Sequence, residues 1–444
     1  MATRVEAAIL VTVRSIVLWI GKVGRSEPVQ SYDLIVCGAG PAGAMAATTA
    51  ARKGLKVALI EKYPLPRHKT CGGGTPMVMQ DFLYDLAPEA FVECNVLHMR
   101  HTWNFEDAVL GAVNPPGSDR KLSLWMVQRS VFDAALTQQA VRAGAELFDG
   151  VAVRSIQVIG DRVRVNARFT KAMGGVEKGG ELIATARHVI GADGANGIVA
   201  KAAGLRQKRS IALGMEVELP HQWGTGHPDL RPEILHLEYG AVRRGYAWVF
   251  PKADHLNVGA GLFRPHQNDT RNDHQVREEL RQAIFAYLDA LQLEYDPAQM
   301  KFHAHPLPIW CGKEQVGTRD GRILLAGDAA GLINPLFGDG ILHAVKSGVI
   351  AATCVVDGTA QDYSALIHAE FASSFDPARR LASIFYQYPH TFYQNVVKNE
   401  RATRVATQLI SGELRFSKIF GRVLRRIGRS ILANLLPSWK SLHP

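Results

Sequence analysis

The sequence predicts an α/β protein: a discontinuous, Rossmann-like nucleotide-binding domain, an inserted mixed-sheet domain and a helical C-terminal region. Three observations carry the prediction. Residues 32–37 form an apolar run, followed by Gly38-Ala39-Gly40-Pro41-Ala42-Gly43 and then by an Ala-rich stretch that stops at Gly54, which reads as strand, tight turn and helix. A buried-strand pattern ending in Gly327-Asp328 recurs far down the chain, so the domain opened near the start is completed near the end. Between them, residues 213–219, 234–239 and 256–262 are short β-forming runs and residues 275–293 show helical periodicity, the signature of a separate mixed sheet with a covering helix.

Each part of the first unit has a chemical reason. Gly38 can adopt the turn conformation, Gly40 lets a pyrophosphate approach the backbone, and Gly43 permits close packing of helix on strand. The anion would rest on the helix N-terminus, where N–H groups and the dipole favour negative charge. A second strand, residues 56–60, ends in Glu61, whose carboxylate can accept hydrogen bonds from an unphosphorylated ribose. The choice of FAD over NAD rests on Asp328, a second carboxylate suited to the ribityl chain, beside a helix that begins near Gly340 and Ile341. Between the two half-sites lies Gly191-Ala192-Asp193-Gly194; Asp193 reads equally as a cofactor contact or as a turn acid.

Two motifs in the middle of the chain concern what the cofactor acts on. Cys71 precedes Gly72-Gly73-Gly74, a stretch that flat ligands can approach closely. Its thiol could donate a proton or tune a flavin, or it could be a small residue in a covering loop; Arg67, His68 and Lys69 beside it would favour a thiolate and attract phosphate, or form an ordinary solvated basic loop. In Tyr246-Ala247-Trp248-Val249-Phe250-Pro251-Lys252 the three aromatic residues alternate, so a strand points them to one face and Pro251 closes it. That face is either an apolar pocket wall or part of a core. Lys252 is placed to meet a phosphate or carboxylate head group, or to stand in solvent.

Through the glycine turn, Asp193-Gly194 and Gly327-Asp328, residues 32–357 resemble the glutathione-reductase-type FAD proteins, in their aromatic-hydroxylase branch. Within it, His68-Lys69-Thr70-Cys71-Gly72-Gly73-Gly74 and the Tyr246 to Lys252 motif resemble the geranylgeranyl reductase family. The resemblance implies saturation of isoprenoid double bonds by reduced FAD. It assigns Gly38, Gly40, Gly43, Glu61 and Asp328 to the cofactor, Arg129 to the flavin's neighbourhood, and Gly338, Gly340 and Ile341 to a loop against the isoalloxazine. Phe337 and Asp339 stand where many relatives carry a small polar residue and Glu. Candidate catalytic residues are Cys71, Tyr246 and Trp248, and the candidate substrate pocket is Tyr246, Trp248, Phe250 and Lys252.

An isolated alkene is not polarised, so hydride delivery must be coupled to protonation. Tyr246, Cys71 or an ordered water could supply the proton. Electrons would reach FAD from NAD(P)H or from a ferredoxin, since no second dinucleotide motif is present. The alternative is an FAD-dependent monooxygenase or halogenase, in which Trp248 and Pro251 would form the Trp-x-x-Pro element; a flavin-containing membrane-associated assembly protein is the non-enzymatic reading.

With 444 residues and 47% hydrophobic content, the chain can build two domains and an appendage. The expected boundaries are an extension at 1–30, an FAD-binding domain at 31–100, 121–205 and 317–358, a substrate domain at 101–120 and 206–316, and a helical region at 359–444 that closes the pocket or contacts a partner. Five scattered cysteines imply no disulfide framework and a reducing, cytoplasmic setting. His303 and His305 read as an ordinary strand pair, with no metal expected. The net charge of +10 concentrates late, where Lys418, Arg422, Arg425, Arg426 and Arg429 interleave with Phe420, Val423, Leu424, Ile427, Ile431 and Leu435. Such a basic amphipathic helix either lies on an anionic bilayer, making the protein peripheral, or docks on the core. No recognition motif supports nucleic acid. Residues 7–20 are too short and interrupted to span a bilayer and make a poor signal peptide; they read as an interfacial helix or a dispensable extension.

Overall fold

The computed structural model describes residues 29–435, apart from 120, 171–177, 206–209, 265–270 and 313–314. The strand Leu34–Cys37 is the centre of a five-stranded parallel sheet. Val57–Glu61 and then Glu146–Asp149 pair on one side, His188–Gly191 and then Ile323–Leu325 on the other. All four residues of the central strand are buried, which is what a strand covered on both faces requires and why it reads as a continuous apolar run. The strand order reverses about this strand, and in such sheets the crevice at the carboxyl ends of the strands is the ligand site.

The helix Pro41–Arg52 leaves the turn and packs against Ile341–Val356. Gly348 sets that distance, since a Cβ there would stand 2.1 Å from the Ala42 carbonyl oxygen, while a Cβ on Gly43 would stand 1.8 Å from the Gly38 carbonyl oxygen of the turn. The helix therefore presents its N-terminus directly at the end of the central strand.

A seven-stranded sheet stands beside this unit, in the order His303–Pro308, Ile211–Pro220, His255–Arg264, Gly245–Pro251, Ile234–Glu238, His98–Trp103, Glu106–Ala112. Its pairings are antiparallel except the one between Ile234–Glu238 and His98–Trp103. The three runs expected at 213–219, 234–239 and 256–262 all lie in it. The helix expected at 275–293 is Asp273–Ala290, started by a capping box of Asn272 and Gln275. It packs Val276, Leu280 and Ile284 against Ala247, Val249 and Val258. Tyr246, Trp248 and Phe250 therefore point to the opposite face.

A further three-stranded sheet is formed by Gly74–Pro76, Leu124–Val127 and Val92–Val96. The C-terminal helices Tyr363–Gln387, Ala402–Ser411 and Phe416–Leu435 join a cluster that includes Phe385, Phe392, Tyr393, Phe416, Ile419 and Ile427. The apolar side of the last helix is thus packed on the core, the docked alternative of the two the sequence allowed. Lys418, Arg422, Arg425 and Arg426 remain exposed on its other side. The side chains of Arg429, Ile431 and Leu435, and residues 7–20, lie outside the described residues. Among the described residues no helix is long and apolar enough to cross a membrane, and no group of three or more potential metal ligands occurs.

Candidate active site

A cavity of about 780 Å³ runs from the glycine turn to the aromatic strand. At the turn, Gly38 has φ +102° and its N–H donates to the Ile60 carbonyl at 2.7 Å, which ties the turn to the second strand. A Cβ on Gly40 would meet only the Arg67 guanidinium, at 3.9 Å, so the backbone lies open to a ligand there. Glu61 is buried; its oxygens accept the Ala39 N–H at 2.9 Å and the Tyr63 N–H at 3.1 Å, and Arg67 stands 3.4 Å away. Asp193 accepts the Val199 N–H at 3.0 Å through one oxygen and keeps its other oxygen buried at the cavity wall without a partner. It is a turn acid that also faces the cavity, and burial raises its pKa.

Arg129 begins the helix Arg129–Arg142 and grips Asp133 at 2.8 and 2.9 Å; Arg67 holds the same carboxylate at 3.0 Å. Burial opposes the Arg129 charge, but Asp133 and the Cys71 thiol more than offset it, so its pKa is raised. Asp328 lies in the turn Gly327–Ala330, 4.0 Å from His305. Burial pushes His305 down to about 4, so the ring is neutral at pH 7, and its Nε2 is buried with no hydrogen-bond partner. Burial also lowers the pKa of Lys69. The loop after Asn334 turns at Gly338, with φ +73°, and feeds Ile341 into its helix. Tyr246 Oη donates to the Phe337 carbonyl and so fastens this loop to the aromatic strand.

Cys71-Gly72-Gly73-Gly74 lies on the aromatic strip. A Cβ on Gly72 would strike the Phe250 ring at 2.6 Å, and one on Gly73, at φ +72°, would meet the Val127 carbonyl oxygen at 2.1 Å. The sequence needs glycine here for close approach. The Cys71 N–H donates to Glu216 at 2.9 Å, and its sulfur accepts the Gly73 N–H at 3.4 Å. The aromatic rings follow one another with centroids 6.1 Å apart at each step, and Trp248 Nε1 donates to Asn257 at 2.9 Å.

The structure brings the sequence-selected residues together with two exceptions. Gly43 packs helix on strand behind the cavity wall. Lys252 corrects the expectation of a head-group contact or a solvated lysine: it is 1% exposed, outside the cavity wall, and donates to the carbonyls of Gly72 at 2.8 Å and Val127 at 2.7 Å. Burial pulls its pKa down to about 8. Sequence reasoning passed over Glu216, Phe385, Phe392 and Ile410, all of which line the cavity. Glu216 carried a legible sign, an acid amid the apolar run of a strand; the last three had none, since their approach depends on how the C-terminal helices dock.

The open glycine turn, the helix N-terminus, the two carboxylates and the unpartnered His305 nitrogen fit FAD, which Gly38, Gly40, Glu61, Arg129 and Asp328 would hold. FAD, when bound, supplies hydride chemistry. The family model described as FAD binding domain matches residues 31–362. The geranylgeranyl diphosphate reductase of Oryza sativa subsp. japonica chloroplasts is 32% identical over 330 residues, which is 73% of this chain and 66% of that protein, just under two thirds of its length. Among solved structures, a geranylgeranyl bacteriochlorophyll reductase-like protein of Thermoplasma acidophilum superposes with a TM-score of 0.69 at 20% identity, covering 92% of this chain and 99% of that one. The flavin-dependent brominase Bmp2 gives 0.67 at 18% identity, covering 90% and 100%. These two establish the fold alone. The chain belongs to the FAD binding domain family and is an FAD-dependent oxidoreductase, similar in sequence to geranylgeranyl reductases of plant, archaeal and cyanobacterial origin.

Proposed function

We propose that this protein reduces isolated double bonds in an isoprenoid chain of the geranylgeranyl type, using reduced FAD. The carrying observation is one cavity that joins the glycine turn and Asp328 to the row Tyr246, Trp248 and Phe250. A polyprenyl chain offers only apolar surface and double bonds, and an aromatic wall excludes water while holding it. Phe385, Phe392 and Ile410 extend the apolar lining, in keeping with a long substrate. Each reduction adds a hydride to one alkene carbon and a proton to the other. Electrons reach FAD from NAD(P)H or a ferredoxin. The exposed Lys418, Arg422, Arg425 and Arg426 suit peripheral contact with an anionic membrane, where prenyl lipids reside.

The second reading, an FAD-dependent monooxygenase or halogenase, draws on the frame shared with the brominase and on Trp248 in the cavity wall. Oxygen separates the two. Anaerobic incubation of dithionite-reduced, FAD-loaded protein with geranylgeranyl diphosphate, a geranylgeranylated phospholipid and a geranylgeranylated chlorophyll precursor should yield a product two mass units heavier per bond, about 2 Da for each hydride and proton added. Products that form only with O2 would favour the second reading.

A further inference from the structure

The register of the seven-stranded sheet lays out the cavity floor in rows. Trp248 pairs with Gly259, Gly259 with Glu216, and Glu216 with His303. The next row is Tyr246, Gly261, Gly214 and His305. Residues in one row share a face of the sheet. Aromatic rings therefore stand along one edge, titratable groups along the other, and glycines between them. The gap is required: a Cβ on Gly259 would sit 2.2 Å from the Trp248 ring.

Glu216 belongs to the titratable edge and lines the cavity while only 1% exposed. One oxygen accepts the Cys71 N–H at 2.9 Å and the other accepts Asn257 Nδ2 at 3.1 Å. His68 Nε2 stands 3.7 Å from Glu216, and its side chain is 40% exposed. The His68 ring lies on that of His303 with centroids 4.1 Å apart. A carboxyl at the cavity thus has a solvent-touching imidazole beside it. Tyr246, the competing donor, already gives its hydrogen to Phe337, and burial raises its pKa.

We propose that Glu216 is the acid that protonates the alkene, and that His68, backed by His303, restores its proton from solvent. The proposal rests on the reductase reading and supplies the proton donor that reading lacks. The alkene π bond breaks; one carbon forms a C–H bond with hydride from the reduced flavin, and the other with the Glu216 proton. The alkene gains two electrons, the flavin loses two, and the carboxylate left behind takes a proton through His68. Facing Glu216 are Glu218 on its own strand, His303 on the next, Lys252 beyond the aromatic strip, and His68 and Cys71 on the loop. Burial chiefly, with Glu218, raises its pKa, against Asn257, Cys71 and Lys252; burial chiefly, with His303, lowers that of His68.

The test uses FAD-loaded protein reduced anaerobically with dithionite, then mixed with geranylgeranyl diphosphate. Glu216→Gln should cut single-turnover alkene reduction by about 100-fold with FAD binding and dithionite reduction unchanged. His68→Ala should slow later turnovers but not the first, and imidazole in the buffer should restore them. Wild-type rates in Glu216→Gln would overturn the proposal. An infrared titration of the flavin-free chain reads the acid without catalysis: a protonated carboxyl band should persist above the pH at which an ordinary glutamate has ionised and shift in His68→Ala. Should no prenyl compound be reduced even by the wild type, the reductase reading falls, while the infrared band still decides whether Glu216 holds a proton; no such band overturns the proposal.

Discussion

Lys252 holds the Cys71 segment down from beneath, and its burial sets two effects against each other. Removing the ammonium leaves two buried carbonyls without donors, at about 1–3 kcal/mol each. It also removes a cation whose pKa burial has lowered to about 8, a cost of similar size. Lys252→Met should therefore change global stability by less than about 1–2 kcal/mol in denaturant titrations. The segment itself should loosen, and alkylation of Cys71, followed by peptide mass, should accelerate on the order of tenfold; an unchanged rate would contradict the clamp. Sequence pattern could not reveal this, because Lys252 follows a strand-ending proline, where lysines are ordinarily solvated.

His101 is a second buried polar joint. Its ring contacts Tyr239 Oη at 3.1 Å and Thr403 Oγ1 at 3.0 Å, linking the large sheet to a C-terminal helix. Burial lowers its pKa from 6.5 to about 4, so the folded protein keeps the ring neutral while the unfolded chain takes up a proton below 6.5. The unfolded state then binds more protons throughout the interval from about 6.5 to 4, and stability falls as pH drops through it, by about 3 kcal/mol from this residue. His236, also lowered to about 4 by burial, adds in the same direction. His101→Gln should flatten the decline measured by thermal unfolding between those pH values; an equally steep decline would contradict it.

At the level of elements, glycine does two separable jobs. In the strand-turn-helix unit Gly43 has no room for a Cβ, which would stand 1.8 Å from Gly38, so Gly43→Ala should weaken FAD binding by about 3 kcal/mol, roughly 100-fold. On the cavity floor Gly259→Ala should displace Trp248 and raise KM for the prenyl substrate about tenfold, with FAD affinity within about twofold of wild type. Fluorescence titration with FAD and steady-state kinetics separate the two; FAD affinity lost in both variants would contradict the division. The first job was legible in the sequence, since turn spacing, flanking strand and Glu61 agree locally. The second was not: Gly214, Gly259 and Gly261 look like scattered strand glycines until register aligns them with the aromatic residues. Glu216 stood out as an acid in an apolar strand, but its place beside Cys71 depends on a contact across 145 residues.

At the level of the whole molecule, the parallel sheet joins strands from 34–61, 146–149, 188–191 and 323–325, and the second sheet stands against it so that one cavity crosses both. The α/β class and the cofactor end were readable because each depends on short, contiguous signals. The C-terminal wall was not, because amphipathic helices announce a packed face without naming the surface they pack on. The last helix illustrates this: its apolar side covers the core, and only its basic side is left for a partner. The central claim is that this cavity lets reduced flavin react with a prenyl chain in one enclosed space. Stopped-flow mixing of anaerobic, dithionite-reduced, FAD-loaded protein with geranylgeranyl diphosphate tests it most directly. The account predicts reoxidation of the flavin in step with saturation of the alkene, one bond per flavin; flavin that stays reduced until oxygen is admitted, with the alkene intact, would contradict it.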